Sequence, residues 1–361
     1  MAVPTVVYFN IDDTLEYESS LLRDWEVDQQ VRLVEVKTED NSVEAFIAAT
    51  REAAGVVVEY FQMTREVISQ LPNLKIIGVQ SIGYNNIDVA AATEHGVAVV
   101  NAPGFCVPEV ALHTVGLLID LVRKISFFDR SVRTGRWDPL LGELPHRLEG
   151  KTVGLVFFGG IPQRATPMLQ ALGLKVLAWA PTKSAEFLAE FGVEKAESLD
   201  QLLVESDFVS LHTPLLPETA HLIGARELDL MRPSAYLINT ARGGVVDEAA
   251  LVAALRSGTI AGAGIDVIED EDTQTSELFG LENVVITPHA AFISEDSFYQ
   301  ARDICVQQMV QRLVWGQRPE TLVNRDLAFE GSTDKPNPSG SASSASGPSN
   351  IEGASHAGSH L

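Results

Sequence analysis

Short runs of β-branched and aliphatic residues punctuate the first hundred positions: Val6-Val7-Tyr8-Phe9, Val31-Arg32-Leu33-Val34-Glu35-Val36, Gly55-Val56-Val57-Val58, Leu74-Lys75-Ile76-Ile77-Gly78 and Val97-Ala98-Val99-Val100. Polar, helix-compatible stretches separate them, and such alternation builds βαβ units around a parallel sheet. A second series starts at Thr152 and continues through Lys175 to Trp179, Phe208 to Leu211, Ala235 to Asn239, Ala263 to Asp266 and Val284 to Thr287. The pattern predicts an α/β chain with two doubly wound parallel sheets. Between the two series, Val110, Leu112, Val115, Leu117, Leu118 and Ile119 recur at mixed helical spacings within Pro108 to Lys124. That spacing predicts a helix buried on more than one side, a natural hinge between domains. Asp296 to Trp315 is again helical in pattern and would return the chain to the first domain.

Length agrees with two domains, since 361 residues exceed the usual single core. After Glu330 the pattern stops: Gly, Ser, Ala and Pro dominate residues 331–361, which reads as a disordered or expression-derived tail. His356 and His360 within it are too sparse for a metal site, and no metal is expected elsewhere. A formal net charge of −23 opposes nucleic acid and anionic membrane as partners, so small anions must be captured by local positive features. The two cysteines, Cys106 and Cys305, are far apart and read as small buried hydrophobes in a reducing, cytoplasmic setting. The early strand-like run and the acids Asp12 and Asp13 leave no room for a signal peptide, and no apolar run reaches membrane-spanning length.

A strand from Thr152 to Phe158 leads into Gly159-Gly160-Ile161-Pro162, where a dinucleotide fingerprint would stand. Against G-x-G-x-x-G the six positions read Phe157, Phe158, Gly159, Gly160, Ile161 and Pro162, so only the middle glycine keeps its place. Pro162 suits a first helical turn, but Pro167 would break a helix begun there. A late start, with Thr166 as N-cap and Pro167 at the first helical position, is the expected escape. About 20 residues beyond the glycines an acid normally binds the ribose 2′-hydroxyl, yet Ala180 occupies that position. With Thr182, Lys183 and Ser184 beside it, the loop tilts the expected cofactor from NAD(H) toward NADP(H); a solvated loop that happens to contain a lysine is the alternative.

Three later fragments carry reactive side chains: Thr240-Ala241-Arg242-Gly243-Gly244, Gly264 to Glu271, and Thr287-Pro288-His289-Ala290-Ala291. They supply a cation, a carboxylate and an imidazole. With Leu71 to Ile77, Gly83-Tyr84-Asn85-Asn86-Ile87-Asp88, Asn101-Ala102-Pro103-Gly104, Leu148 to Gly154 and His212-Thr213-Pro214-Leu215, they make residues 55 to 325 resemble the D-isomer-specific 2-hydroxyacid dehydrogenase family. Cys106 to Val110 and His289 to Glu295 resemble the branch that also holds C-terminal-binding-protein corepressors and phosphoglycerate-dehydrogenase-like enzymes.

The resemblance implies two Rossmann-like domains with a cleft between them: a substrate domain from residues 1–104 plus 291–330, and a nucleotide domain from 105–290. It implies hydride transfer between NAD(P) and a D-2-hydroxy acid and its 2-oxo acid, in a homodimer. Carried over by position, Arg242 holds the substrate carboxylate, His289 is the acid/base, and Glu271, five residues after Asp266, orients the imidazole. Glu269, Asp270 and Asp272 crowd the same loop as competitors. Ser81, Ile82 and Gly83 match a loop whose N–H groups bind the carboxylate, and Phe292 an aromatic wall suited to a sizeable apolar side chain. Thr114, His212, Thr213, Pro214, Thr240, Ala241 and Asp266 match cofactor positions, joining the glycine turn, Ala180, Thr182 and Lys183.

Two other functions compete. Asn10-Ile11-Asp12-Asp13-Thr14 resembles the Asp-x-Asp-x-Thr motif of haloacid-dehalogenase-type phosphatases, but asparagine stands at the nucleophile position and an amide forms no acyl phosphate. Turn chemistry explains these residues better. The other rival is a dinucleotide-sensing interaction protein of corepressor type, favoured by the altered glycine motif and opposed by the intact Arg-Glu-His set.

Overall fold

The computed structural model describes residues 3–11, 14–142, 144–273 and 275–329. Asp12, Asp13 and the tail after residue 330 therefore lie outside the described residues. One compact unit takes the described residues up to Ala102 together with those from Asp303 onward; the other is Pro103–Arg302.

The first unit runs β1 (Thr5–Phe9), α1 (Glu16–Asp24), β2 (Arg32–Val36), α2 (Val43–Thr50), β3 (Gly55–Val57), α3 (Arg65–Ile68), β4 (Ile76–Gly78), α4 (Val89–Glu94) and β5 (Ala98–Val100). Its strands pair in parallel in the order β2-β1-β3-β4-β5. Both faces are apolar because side chains alternate along each strand. Val7 and Phe9 join one core with Phe46, Val56 and Ile77, while Val6 and Tyr8 join the opposite one with Ile76 and Val100. Cys305, Val306, Met309 and Val310 complete that second core, which is why the chain from Asp303 belongs here. Asn10 ends β1 at φ +50° and its Oδ1 accepts from the Thr38 N–H at 2.8 Å, the turn role expected of it.

The second unit begins with α5 (Val107–Arg123) and α6 (Ile125–Arg133). It continues through β6 (Thr152–Val156), α7 (Gly160–Ala171), β7 (Lys175–Trp179), α8 (Ala185–Ala189), β8 (Glu194–Lys195), α9 (Leu199–Glu205), β9 (Phe208–Leu211), α10 (Ala225–Leu230) and β10 (Tyr236–Asn239). After α11 (Glu248–Ser257), β11 (Gly262–Ile265) and β12 (Val284–Ile286), α12 (Glu295–Leu313) begins in this unit and belongs from Asp303 to the first. The seven strands pair in parallel as β12-β11-β10-β9-β6-β7-β8. Alternation again feeds two cores: Val156, Val209, Leu211 and Leu237 pack on one face, Val153, Leu155, Phe208 and Ile238 on the other. The order reverses between β6 and β9, and ligands of such sheets bind outside the carboxyl ends of the strands at that reversal.

The helix expected over Pro108 to Lys124 is α5. It buries Val110, Ala111, Thr114, Val115, Leu117, Leu118, Leu121 and Val122, while Leu112 is exposed. The expected restart at Pro167 is corrected: α7 runs unbroken from Gly160, with Pro167 inside it and Gly159 as N-cap. Pro167 lacks the N–H that would reach the Gln163 carbonyl, and Thr166 instead donates its hydroxyl to the Pro162 carbonyl at 2.7 Å. Residues 291–302, expected with the first unit, pack in the second. There the Ala291 N–H meets the Asp266 carboxylate at 3.0 Å, Ser294 donates to Glu109 at 2.8 Å, and the Phe292 and Phe105 rings lie 6.1 Å apart.

Candidate active site

At the carboxyl end of β10 the Asn239 side chain shapes the turn that presents Arg242. Its Oδ1 accepts the Ala241 N–H at 3.0 Å and its Nδ2 donates to the Arg242 carbonyl at 3.0 Å. The Arg242 guanidinium is partly buried and donates to the Ala241 carbonyl at 2.6 Å. Gly243 follows because nothing larger fits: a Cβ there would lie 1.8 Å from the Ile268 carbonyl oxygen and 2.6 Å from the Glu269 nitrogen. The Arg242 turn and the acidic loop therefore touch backbone to backbone.

That loop holds the crowded carboxylates, and the structure separates them. Glu271 reaches His289, with Oε2 2.8 Å from Nδ1, whereas Glu269 pairs with His221 Nε2 at 2.7 Å. An imidazole held at Nδ1 by a carboxylate has its Nε2 left for proton exchange. His289 adopts φ +52°, an unusual conformation for a side chain with a Cβ. Three successive N–H groups explain it. His289 donates to the Asp266 carbonyl at 2.7 Å, Ala290 to Asp266 Oδ1 at 2.9 Å and Ala291 to Asp266 Oδ2 at 3.0 Å. Thr287 adds its hydroxyl to Oδ1 at 2.5 Å. Asp266, matched by resemblance to a cofactor position, is thus buried and spends both carboxylate oxygens on the turn that carries His289. The Phe292 ring stands edge-on to His289, with centroids 5.9 Å apart.

The glycine turn keeps the features a pyrophosphate needs. Gly159 and Gly160 are exposed, and a Cβ on Gly159 would meet nothing within 4 Å, so backbone is open to close approach. They stand at the N-terminus of a helix of 12 residues, whose unpaired N–H groups and dipole attract anions. Phe157, in place of the tight-turn glycine, takes the left-handed backbone that glycine would supply, at φ +70°. That conformation costs about 1 to 2 kcal/mol for a residue with a Cβ, offset in part by edge-on packing of its ring on Trp179 at 5.6 Å. Ile161 is half-buried and Pro162 buried in the first turn.

Ala180 does not face outward. It is buried in the core that also holds Val153, Leu155, Phe158 and Ala178. Thr182 is exposed, Lys183 lies with Nζ 4.8 Å above the Phe187 ring, and Ser184 caps α8 by accepting the Phe187 N–H. Beyond β9, Thr213 is buried and Pro214 exposed. Thr114 and Thr240 are buried against each other at 2.8 Å, one residue before the partly buried Ala241. Asn239 and Thr287 were missed from the sequence, although an asparagine at a strand end and a threonine before Pro288 are both turn formers.

His212 accompanies Ser210, Nε2 to Oγ 3.0 Å, and desolvation lowers its pKa to about 4. An unfolded histidine titrates near 6.5. Between those two values the unfolded chain binds a proton that the folded chain refuses, so stability falls as pH drops from about 6.5 to about 4. Urea midpoints at pH 7 and pH 5 should show a smaller loss for His212→Gln than for the parent chain. Equal losses would remove His212 as the cause.

In the first unit, Ser81 Oγ donates to the Gly83 carbonyl at 2.7 Å, while the Ser81 and Ile82 carbonyls accept from Ala102 N and Asn101 Nδ2 at 2.9 and 2.8 Å. The N–H groups of Ser81, Ile82 and Gly83 have no acceptor among the described residues. Both cysteine thiols are buried, and burial raises the pKa of each, that of Cys106 to about 11. No helix among the described residues is long and apolar enough to cross a membrane.

Residues 115–291 match the family described as D-isomer specific 2-hydroxyacid dehydrogenase, NAD binding domain. The chain is similar to a glyoxylate reductase of Thermococcus litoralis, 40% identical over 276 residues that cover 74% of this chain and 82% of that protein. Among solved structures it is similar to a glyoxylate reductase from Paecilomyes thermophila, with a TM-score of 0.78 at 27% identity, covering 90% of this chain and 99% of that one. The D-mandelate dehydrogenase of Rhodotorula graminis matches at a TM-score of 0.78 and 25% identity, over 89% of this chain and 97% of that one. These relatives favour catalysis over the corepressor reading. The chain belongs to the D-isomer-specific 2-hydroxyacid dehydrogenase family and is an NAD(P)-dependent oxidoreductase of 2-hydroxy acids and their 2-oxo acids.

Proposed function

We propose that the chain reduces 2-oxo acids to D-2-hydroxy acids with His289 as proton donor, Glu271 as the acid that orients and charges it, and Arg242 as the cation for the substrate. The observation that carries this reading is the 2.8 Å pair between His289 Nδ1 and Glu271 Oε2. When bound, the nicotinamide supplies or accepts the hydride at C2. The chain does the rest. Arg242, a planar guanidinium, grips a carboxylate and polarises the neighbouring carbonyl. His289 gives its Nε2 proton to the carbonyl oxygen as negative charge develops there, and Glu271 stabilises the imidazolium that precedes the transfer. In the first unit the free N–H groups of Ser81, Ile82 and Gly83 suit a carboxylate.

Phe292, edge-on to His289, favours a 2-oxo acid with an apolar side chain. The glyoxylate reductases among the relatives favour the smallest 2-oxo acid instead. Steady-state kinetics with glyoxylate, pyruvate and phenylpyruvate decide between them. A kcat/KM highest for glyoxylate would discard the apolar reading, and no turnover with any 2-oxo acid would discard the assignment.

For the cofactor, Gly159, Gly160 and Ile161 are the residues to hold the pyrophosphate. With Ala180 buried in the core, the turn after β7 presents no carboxylate to bind a ribose diol or repel a 2′-phosphate, while Thr182 and Lys183 follow it on the outside. We therefore favour NADP(H). NADPH should support turnover at least as well as NADH. Lys183→Ala should weaken NADPH alone, by the ~1.5 to 3 kcal/mol of one charge-assisted contact. Tight NADH binding with indifference to NADPH would show that Lys183 stays on the Phe187 ring.

We also propose a homodimer through the second unit, in the cytoplasm. The amphipathic α6 and the chain after it leave Ile125, Val132, Trp137 (86% exposed) and Leu140 (72%) uncovered, apolar side chains that a second copy would cover. Trp137→Glu combined with Leu140→Glu should halve the mass seen by light scattering. An unchanged dimer would place the interface elsewhere, and a monomeric parent would refute it.

A further inference from the structure

Two neighbouring residues of α5 reach the two turns that carry the reactive side chains. His113 Nε2 lies 2.9 Å from Thr287 Oγ1, and the Thr114 hydroxyl lies 2.8 Å from that of Thr240. The direction of each contact follows from proton counting. Thr287 has one hydroxyl proton and gives it to Asp266 Oδ1 at 2.5 Å, so His113 must donate from Nε2. Thr114 gives its own to the Val110 carbonyl at 2.8 Å, so Thr240 must donate to Thr114. One chain of donors thus runs from His113 through Thr287 to Asp266, the group that collects the N–H groups of His289, Ala290 and Ala291. The other runs from Thr240, two residues before Arg242, into the body of α5. The helix itself is fixed: Val115, Leu117, Leu118, Leu121 and Val122 are buried in the core of the sheet.

We propose that His113 and Thr114 are positioning residues of the reaction, His113 setting the turn that carries His289 and Thr114 the turn that carries Arg242. The proposal rests on the roles given above to His289 and Arg242. Physically, a left-handed backbone at His289 persists only if its surroundings over-determine it. Asp266 supplies the acceptors, and Thr287 with His113 holds that carboxylate in place. A rigid helix that anchors both turns fixes their spacing, and misplacement by an ångström is enough to cost about a hundredfold in rate.

The two residues should fail differently. His113→Phe keeps a ring but loses the donor, so kcat should fall about ten- to a hundredfold with KM for the 2-oxo acid nearly unchanged and the pH profile of kcat displaced. His113→Gln, which retains an N–H donor, should recover most of that loss. Thr114→Val keeps the shape but removes the acceptor for Thr240, and should raise KM about tenfold with a smaller fall in kcat than His113→Phe shows. Independently of turnover, the imidazole resonances of His289 in ¹⁵N-histidine-labelled protein, assigned with His289→Gln, should shift in His113→Phe and return in His113→Gln. Parent-like kcat and His289 resonances in His113→Phe would overturn the proposal. Equal falls in kcat and rises in KM for both variants, matching a lowered Tm, would also overturn it, since they would report stability alone. If the parent protein reduces no 2-oxo acid, the functional reading fails, and the His289 resonances still decide whether His113 positions that turn.

Discussion

Replacing His289 by Ala should lower kcat for 2-oxo acid reduction by about 10² to 10⁴, because the carbonyl oxygen would have to take its proton from water rather than from a placed donor. Cofactor affinity should stay near the parent value, since the glycine turn at Gly159 is separate from the His289 turn in the second unit. The companion variant Glu271→Gln keeps the shape of the pair but removes the negative charge 2.8 Å from Nδ1. Without that carboxylate the ring is no longer held in place, so kcat should fall about ten- to a hundredfold. Glu269→Gln should leave kcat near the parent value, because Glu269 is engaged by His221 at 2.7 Å. Stopped-flow turnover and fluorescence titration of the cofactor separate the two effects. Near-parent turnover in His289→Ala, or a loss of turnover in Glu269→Gln instead of Glu271→Gln, would refute the assignment.

Gly243→Ala should be the most damaging single methyl group in the second unit. The added Cβ would stand 1.8 Å from the Ile268 carbonyl oxygen and 2.1 Å from its carbon, both main-chain atoms that cannot rotate aside. The acidic loop must then move bodily, taking Glu271 away from His289 and straining the Arg242 turn. Overpacking of this kind costs roughly 3 kcal/mol in stability, and loss of the His289 pairing should cost about a hundredfold in kcat. Gly244→Ala serves as the neighbouring control, since its Cβ would meet only the movable Leu215 side chain at 3.2 Å. Thermal denaturation and kcat of the two variants provide the comparison. A Gly243→Ala protein as stable and active as Gly244→Ala would show that the two loops are not in contact.

Some of this was legible because it is local. A strand with both faces buried is apolar at nearly every position, so the runs at Val6 to Phe9 and Phe208 to Leu211 announced parallel sheets before any partner strand was known. The fragments around Arg242, Glu271 and His289 were visible for a related reason: their residue types and spacings are properties of the chain itself. The restart at Pro167 failed because propensity was weighed without packing. α7 buries Ala165, Thr166 and Leu169 against the core, and that burial outweighs one missing backbone hydrogen bond.

By itself, then, the sequence determined two α/β sheets, the glycine turn after β6 and the presence of a cation, a carboxylate and an imidazole in the second half of the chain. Tertiary structure decided the partners. Glu269 and Glu271 are chemically identical and two residues apart, and nothing local tells which faces an imidazole 18 residues on and which faces one 48 residues back. Ala180 is turned into the core, and Asp266 is committed to the His289 turn, for the same reason. Hydrogen bonding and burial of a side chain are fixed by whatever the fold brings against it, and in a sheet ordered β12-β11-β10-β9-β6-β7-β8 those neighbours come from distant parts of the chain.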